Sequence, residues 1–208
     1  ISMNFLSNNE IRDKLLQELP EFDNSYKSKY SIEKLYSTIN EIRYRHASVL
    51  IPLTVYNDNI HIILTLRSIN LPTHAGQISF PGGKVDEYDI NPMRTAYREA
   101  AEEIGLNEDL ISLQGYLDIY RTGTKYIILP VVGFVSEDYE PKLNKGEVED
   151  LIYLPLDFIA DKSNLQYREQ EINGEKRFFY VYEYNDHFIW GATAHMLKSL
   201  SERLFEND

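Results

Sequence analysis

Apolar positions along this chain recur with two periods, about 3.6 residues near its ends and centre and 2 residues in between. Residues 9 to 19 set Ile11, Leu15, Leu16 and Leu19 at helical spacing before Pro20, and residues 31 to 43 repeat the pattern, which predicts two amphipathic helices. From Ser48 to Tyr56 and from Ile60 to Leu66, β-branched and apolar runs flank Asn57-Asp58-Asn59, the composition of a hairpin turn. Further strands are predicted near 113 to 120, 126 to 135, 150 to 154 and 177 to 184, with a closing helix from about 191 to 205. A short central helix is framed at both ends: Asn91 can cap it, Pro92 suits its first turn and Gly105 can end it. On that helix Met93, Ala96, Tyr97, Ala100 and Ile104 gather on one side. The pattern gives an α+β protein, a mixed sheet between helices.

Composition narrows this reading. At 208 residues and 43% apolar content the chain supports one sizeable core. Residues 1–45 are read as an N-terminal helical accessory segment packed on the same domain as residues 46–208. A formal net charge of -12 opposes a nucleic-acid surface or an anionic membrane, since both reward clustered lysine and arginine. The longest apolar run, Ile127 to Val135, contains Pro130 and Gly133 and is far shorter than the roughly 20 residues that span a bilayer. With no cysteine there is no thiolate metal site, and a cytoplasmic location is the expectation. His46, His61, His74, His187 and His195 lack metal-ligand spacing. The run Phe178 to Tyr184 is read as a strand burying one aromatic face, and Trp190 as packed near the closing helix.

The candidate chemistry lies on the central helix. Glu99, Glu102 and Glu103 span an arc of roughly 100°, and like charges within one turn are destabilising unless a cation sits among them. Oxygen-only ligation suits Mg²⁺ or Mn²⁺, and the competing reading is a solvated acidic face. Gly82 and Gly83 ahead of the helix allow the close backbone approach that a phosphate-cradling loop requires. Arg98, four residues before Glu102, can orient the acid side chains. Arg67, next to Ser68 at a strand end, is a candidate contact for substrate phosphate. A general base is open among Glu99, Glu147 and Glu149.

Together these residues resemble the signature of the Nudix hydrolases: Gly, five residues, Glu, seven residues, Arg-Glu, an apolar residue, any residue, Glu-Glu, any residue, Gly, apolar. Arg98 to Leu106 fit it completely. Gly83 to Arg98 encloses fourteen residues where the signature has thirteen, and Asp89 stands where its first Glu would be, so Asp89 is left out of the metal set. The resemblance implies an αβα sandwich with a mixed sheet, and a diphosphohydrolase whose Mg²⁺ or Mn²⁺ is held by Glu99, Glu102 and Glu103. Ile63-Leu64-Thr65-Leu66-Arg67-Ser68, Gly76 and Phe80-Pro81-Gly82-Gly83 are similar to the coenzyme A pyrophosphatase branch, which also lengthens the box by one residue. Pro72 departs from that branch, occupying the place of its second Arg. Thr124 to Phe134 and Trp190 to Leu197 also resemble later segments of the branch. The implied substrate is coenzyme A or its thioesters. ADP-ribose or a dinucleotide is the enzymatic alternative, and a nonhydrolytic nucleotide-binding regulator the alternative of another class. A CoA-like small molecule is the expected partner, with a homodimer left open.

Overall fold

The computed structural model describes residues 6–20, 44–172 and 174–206. Helix α1 (Asn8–Lys14) opens with a reciprocal capping box between Ser7 and Glu10. It stops short of the predicted residue 19, because the backbone of Leu16 pairs with that of Tyr116 in both directions, at 3.0 and 2.8 Å, and this requires an extended chain. The helix predicted over 31 to 43 lies outside the described residues.

Strands β1 (Arg45–Tyr56) and β2 (Asn59–Arg67) form the predicted antiparallel hairpin, with Tyr56 opposite Asn59. Asn57 and Asp58 carry φ of 50° and 60°, the left-handed pair whose twist matches the flanking strands. Two short strands follow, β3 (Ile78–Ser79) and β4 (Gly82–Lys84), then helix α2 (Pro92–Ile104). The strand predicted over 113 to 120 is split into β5 (Ile111–Tyr116) and β6 (Tyr120–Arg121). Both pair with β7 (Tyr126–Val135), and the break falls opposite Pro130, which has no N–H to give to a ladder. Beyond come β8 (Val148–Pro155), α3 (Leu156–Ala160), β9 (Leu165–Ile172), β10 (Glu175–Tyr184), β11 (His187–Trp190) and α4 (Gly191–Phe205).

The main sheet has eight strands, in the order β3-β2-β1-β7-β5 with β4, β6 and β8 paired onto β1, β7 and β2. It is mixed: β1 and β7 run parallel and its other pairings are antiparallel. Helix α2 covers one face, its Ala96, Ala100 and Ile104 packed among Leu50, Ile63, Leu129 and Val131. On the other face α4 brings Met196, Leu197, Leu200 and Leu204 to a core that holds Ile51, Leu53, Ile62 and Val132, together with Ile11 and Leu15 from the N-terminal segment. Each such buried aliphatic side chain contributes about 1.5–3 kcal/mol, so the sandwich is held from both sides. Among the described residues no helix is long and apolar enough to cross a membrane.

A second, three-stranded antiparallel sheet, β11-β10-β9, contains the strand predicted at 177 to 184 as β10 and adds β9 and β11, which the hydropathy pattern did not predict. It corrects two expectations. Tyr182 is buried against the core, but Phe178, on the same face of β10, is 52% exposed, so the aromatic run buries only part of a face. Trp190, at the N-cap of α4, is 41% exposed and meets Phe179 edge-on at 6.0 Å, outside the hydrophobic core.

Candidate active site

Helix α2 begins where Asn91 caps the Arg94 N–H at 3.1 Å, and it ends where Gly105 turns left-handed at φ 70°. The apolar side of this helix seats it on the sheet, and the hydrogen-bonded register of β4 against β1 sets Gly82 opposite Val49 and Gly83 opposite Ser48. The carboxylates therefore arrive at the glycines from one side. A Cβ built on Gly83 would fall on the carboxylate of Glu99, so the bare backbone there is what leaves Glu99 its place. Arg67 ends β2 on the side of the sheet where Ile63 meets α2, and its guanidinium lies close enough to Glu103 to favour that acid's charged form.

Glu103 is 4% exposed, buried with the apolar residues of α2 and not on a solvated face. Burial pushes its carboxyl up to about 8, and the charges of Glu99 and Glu147 add to this against Arg67 and the Gly82 N–H. Glu99 is also raised by burial, opposed by Arg98 and aided by Glu102 and Glu147. The structure therefore brings Glu99, Glu103 and Glu147 within electrostatic reach of one another. Glu102 stands apart, with its side chain 57% exposed and Arg98 Nη1 at 3.5 Å.

The remaining candidates fall into place around them. Arg98 Nη1 donates to Glu99 at 2.8 Å, while its Nε and Nη2 take both oxygens of Asp89 at 3.2 and 3.0 Å. Asp89 also accepts from the Thr95 hydroxyl at 2.7 Å and the Asp86 N–H at 2.9 Å, and Arg98 holds its carboxyl down at about 2. Ser68 is fully buried, and its hydroxyl accepts the Asn70 N–H within its own loop; its backbone N–H donates to the Glu147 carbonyl at 2.8 Å. Glu149 is exposed on β8. Arg67 Nε is buried without a hydrogen-bond partner among the described residues, an orphan donor at the rim of the acids. Sequence reasoning set Asp89 aside and passed over Asn144. Asp89 announced itself only by its place in the Nudix pattern, and Asn144 by no local signal.

Among the described residues no three carboxylate or imidazole side chains are drawn together tightly enough to close on a metal as they stand. The donor set nevertheless fits a hard divalent cation: oxygen acids only, one of them raised by burial and by its acidic neighbours, with the bare backbone of Gly83 leaving Glu99 its place. Glu99 and Glu102 are both reached by Arg98 Nη1, at 2.8 and 3.5 Å.

The two glycines should respond differently to alanine. At Gly82 a Cβ would lie 2.5 Å from the Ser48 carbonyl and 2.7 Å from Val49 Cα, both backbone, so Gly82→Ala is expected to cost about 2 kcal/mol or more in chemical denaturation. At Gly83 the obstacle is the end of a flexible side chain, so Gly83→Ala should fold with near-native stability while losing activity at least about tenfold as Glu99 is displaced. Equal destabilisation by the two would contradict this division.

The chain matches the NUDIX domain over residues 44–173. It is 32% identical over 160 residues to the uncharacterized Nudix hydrolase NudL of Photorhabdus laumondii, which covers 77% of this chain and 85% of that protein. It is 34% identical to NudL of Escherichia coli K12 over 163 residues, 77% of this chain and 83% of the relative. To the mitochondrial Nudix hydrolase 15 of Arabidopsis thaliana it is 36% identical over 174 residues, 80% of this chain, and spans 61% of that longer protein. Among solved structures, a MutT/nudix family protein from Enterococcus faecalis superposes with a TM-score of 0.50 at 12% identity, over 94% of this chain and 74% of the other. That likeness concerns the fold.

Proposed function

The chain belongs to the Nudix hydrolase family, and from that premise we propose that its substrate is coenzyme A or an acyl-CoA, cleaved to phosphopantetheine or its acyl form and adenosine 3',5'-bisphosphate. It is a hydrolase of nucleoside diphosphate-linked substrates. The narrower substrate is supported by the run Ile63 to Ser68, by Gly76 and Phe80 to Gly83 at the branch spacing, and by the residue added between Gly83 and Arg98. Within that stretch Asp89 folds back to pair with Arg98.

The observation that carries the chemical reading is Glu103, an acid 4% exposed that lies within electrostatic reach of Glu99 and Glu147, with Arg67 opposing their charges. When bound, Mg²⁺ or Mn²⁺ would supply charge neutralisation on the diphosphate and would activate the attacking water. Glu99, Glu102 and Glu103 would hold the cation in this reading, with Arg98 orienting the first two. The Arg67 guanidinium, whose Nε has no hydrogen-bond partner among the described residues, donates to a phosphate oxygen in this reading, and the Gly82-Gly83 backbone lets that phosphate approach. Glu147 accepts the proton of the attacking water, a role that Glu99 would fill if Glu147 did not. A cytoplasmic setting completes the proposal, supported by the cysteine-free composition.

Pro72 favours a second reading, in which the same machinery acts on ADP-ribose or a dinucleotide, because the branch's second cation is missing from the loop between β2 and β3. Incubation with Mg²⁺ and coenzyme A, ADP-ribose or a diadenosine polyphosphate, followed by mass spectrometry, separates the two. The expected result is a kcat/KM for coenzyme A at least about tenfold above the others, with both halves of the molecule recovered. A higher value for ADP-ribose or the dinucleotide would replace the first reading by the second.

A further inference from the structure

The acids of the site come from separate elements, Glu103 from α2 and Glu147 from the loop entering β8, and Asn144 joins them. Its N–H donates to the Glu103 carbonyl at 2.9 Å, and its own carbonyl accepts the N–H groups of Glu147 and Val148, each at 2.8 Å. Its carboxamide is divided: Nδ2 donates to Glu147 Oε1 at 3.0 Å, and Oδ1 accepts the Gly146 N–H at 3.2 Å. The backbone bonds build the turn, and the side chain adds one thing the turn lacks, a donor aimed at a carboxylate oxygen. Aspartate would keep the bond from Gly146 but lose the donor and set another negative charge against Glu147.

We propose that Asn144 is a positioning residue, which fixes the Glu147 carboxylate toward Glu99 and Glu103 by holding Oε1 and leaving Oε2 to take a proton. The inference rests on the reading of Glu147 as the acid that accepts the proton of the attacking water. It also explains why Glu147, on a loop, can act with the precision that a proton transfer demands. The loop is tied to α2 at the residue that is itself a site acid, so the two carboxylates move together.

A double-mutant cycle tests this, run with Mg²⁺ on coenzyme A and on ADP-ribose so that the identity of the substrate does not decide the outcome. Asn144→Ala keeps every backbone bond and is expected to lower kcat about 10- to 100-fold with KM within about twofold. In Glu147→Gln the same change should have no further effect, because Asn144 acts only through Glu147. A crystal structure of Asn144→Ala should show the Glu147 carboxylate in a new position while α2 stays in place. Multiplying losses in the double variant, or an unmoved Glu147, would overturn the positioning role alone. A Glu147→Gln enzyme with wild-type kcat would instead remove Glu147 from the mechanism, and the inference with it.

Discussion

Glu103→Gln should lower kcat by about three orders of magnitude and, at pH 8 without metal, raise the melting temperature. Both effects follow from one fact, that an acid 4% exposed is buried beside Glu99 and Glu147. A carboxylate that binds a catalytic cation cannot be replaced by an amide without losing most of the transition-state neutralisation, which sets the size of the activity loss. The stability effect has the opposite sign. The carboxyl sits at about 8 in the fold against 4.5 as an ordinary glutamate, so the unfolded chain ionises first. Its contribution is fully present below about 4.5 and lost as pH rises through about 8. Glutamine has no such dependence, so the melting temperatures of the two proteins should diverge between pH 5 and 8, with the wild type falling below the variant. Mn²⁺ should then raise the wild type more than the variant, because only the former gains a ligand. Parallel scans in chelator and in Mn²⁺, with kcat measured on the same preparations, test all of this. Indistinguishable pH profiles would mean that Glu103 is not held as an unfavourable buried charge, and near-native kcat would remove it from the chemistry.

What the sequence disclosed and what it withheld divide along a physical line. The frame of α2, the Asn57-Asp58 turn, β7 and α4 each rest on signals within a few residues, and periodicity reads such signals directly. The three-stranded sheet does so only in β10, whose aromatic run predicts a strand at 177 to 184; its partner β9 is mostly polar and charged and shows no clean buried face. At the site, the helical arc grouped Glu99, Glu102 and Glu103, yet their environments run from buried to open. Glu103 neighbours Ala96 and Ala100 around the helix and follows them into the core, while Glu102 lies on the far edge beside Arg98. Asn144 and the Asp89–Arg98 pair depend on where loops cross α2, a non-local fact with no periodic trace. The match to known Nudix hydrolases shows the family and its reaction class, and the acids' individual burial gives the motif's residues unequal environments.

Arg98→Met should reduce both activity and stability, unlike the change at Glu103. The guanidinium of Arg98 binds Asp89 through two nitrogens, donates to Glu99 at 2.8 Å and to the Lys84 carbonyl at 3.2 Å, and reaches Glu102. Removing it strands Asp89, whose side chain is 7% exposed, beside Thr95 with no counter-charge, which costs about 2 kcal/mol after allowance for the partly exposed arginine. It also frees Glu99 and Glu102 to repel each other, and kcat should fall about 100-fold. Arg98→Lys should recover little, since an ammonium cannot fork between two carboxylates. The Asp89 side of the pair has its own pH signature: the carboxyl is depressed from 3.8 to about 2, so its stabilisation is present above about 3.8 and lost as pH falls toward 2. Asp89→Asn should therefore flatten acid unfolding in that window. A variant at position 98 with native stability and a lost kcat would make Arg98 a direct contact for the reaction; lost stability with native kcat would reduce it to a brace for the turn. The expected result, loss of both together, is what a guanidinium shared between the fold and the acids proposed to bind metal requires.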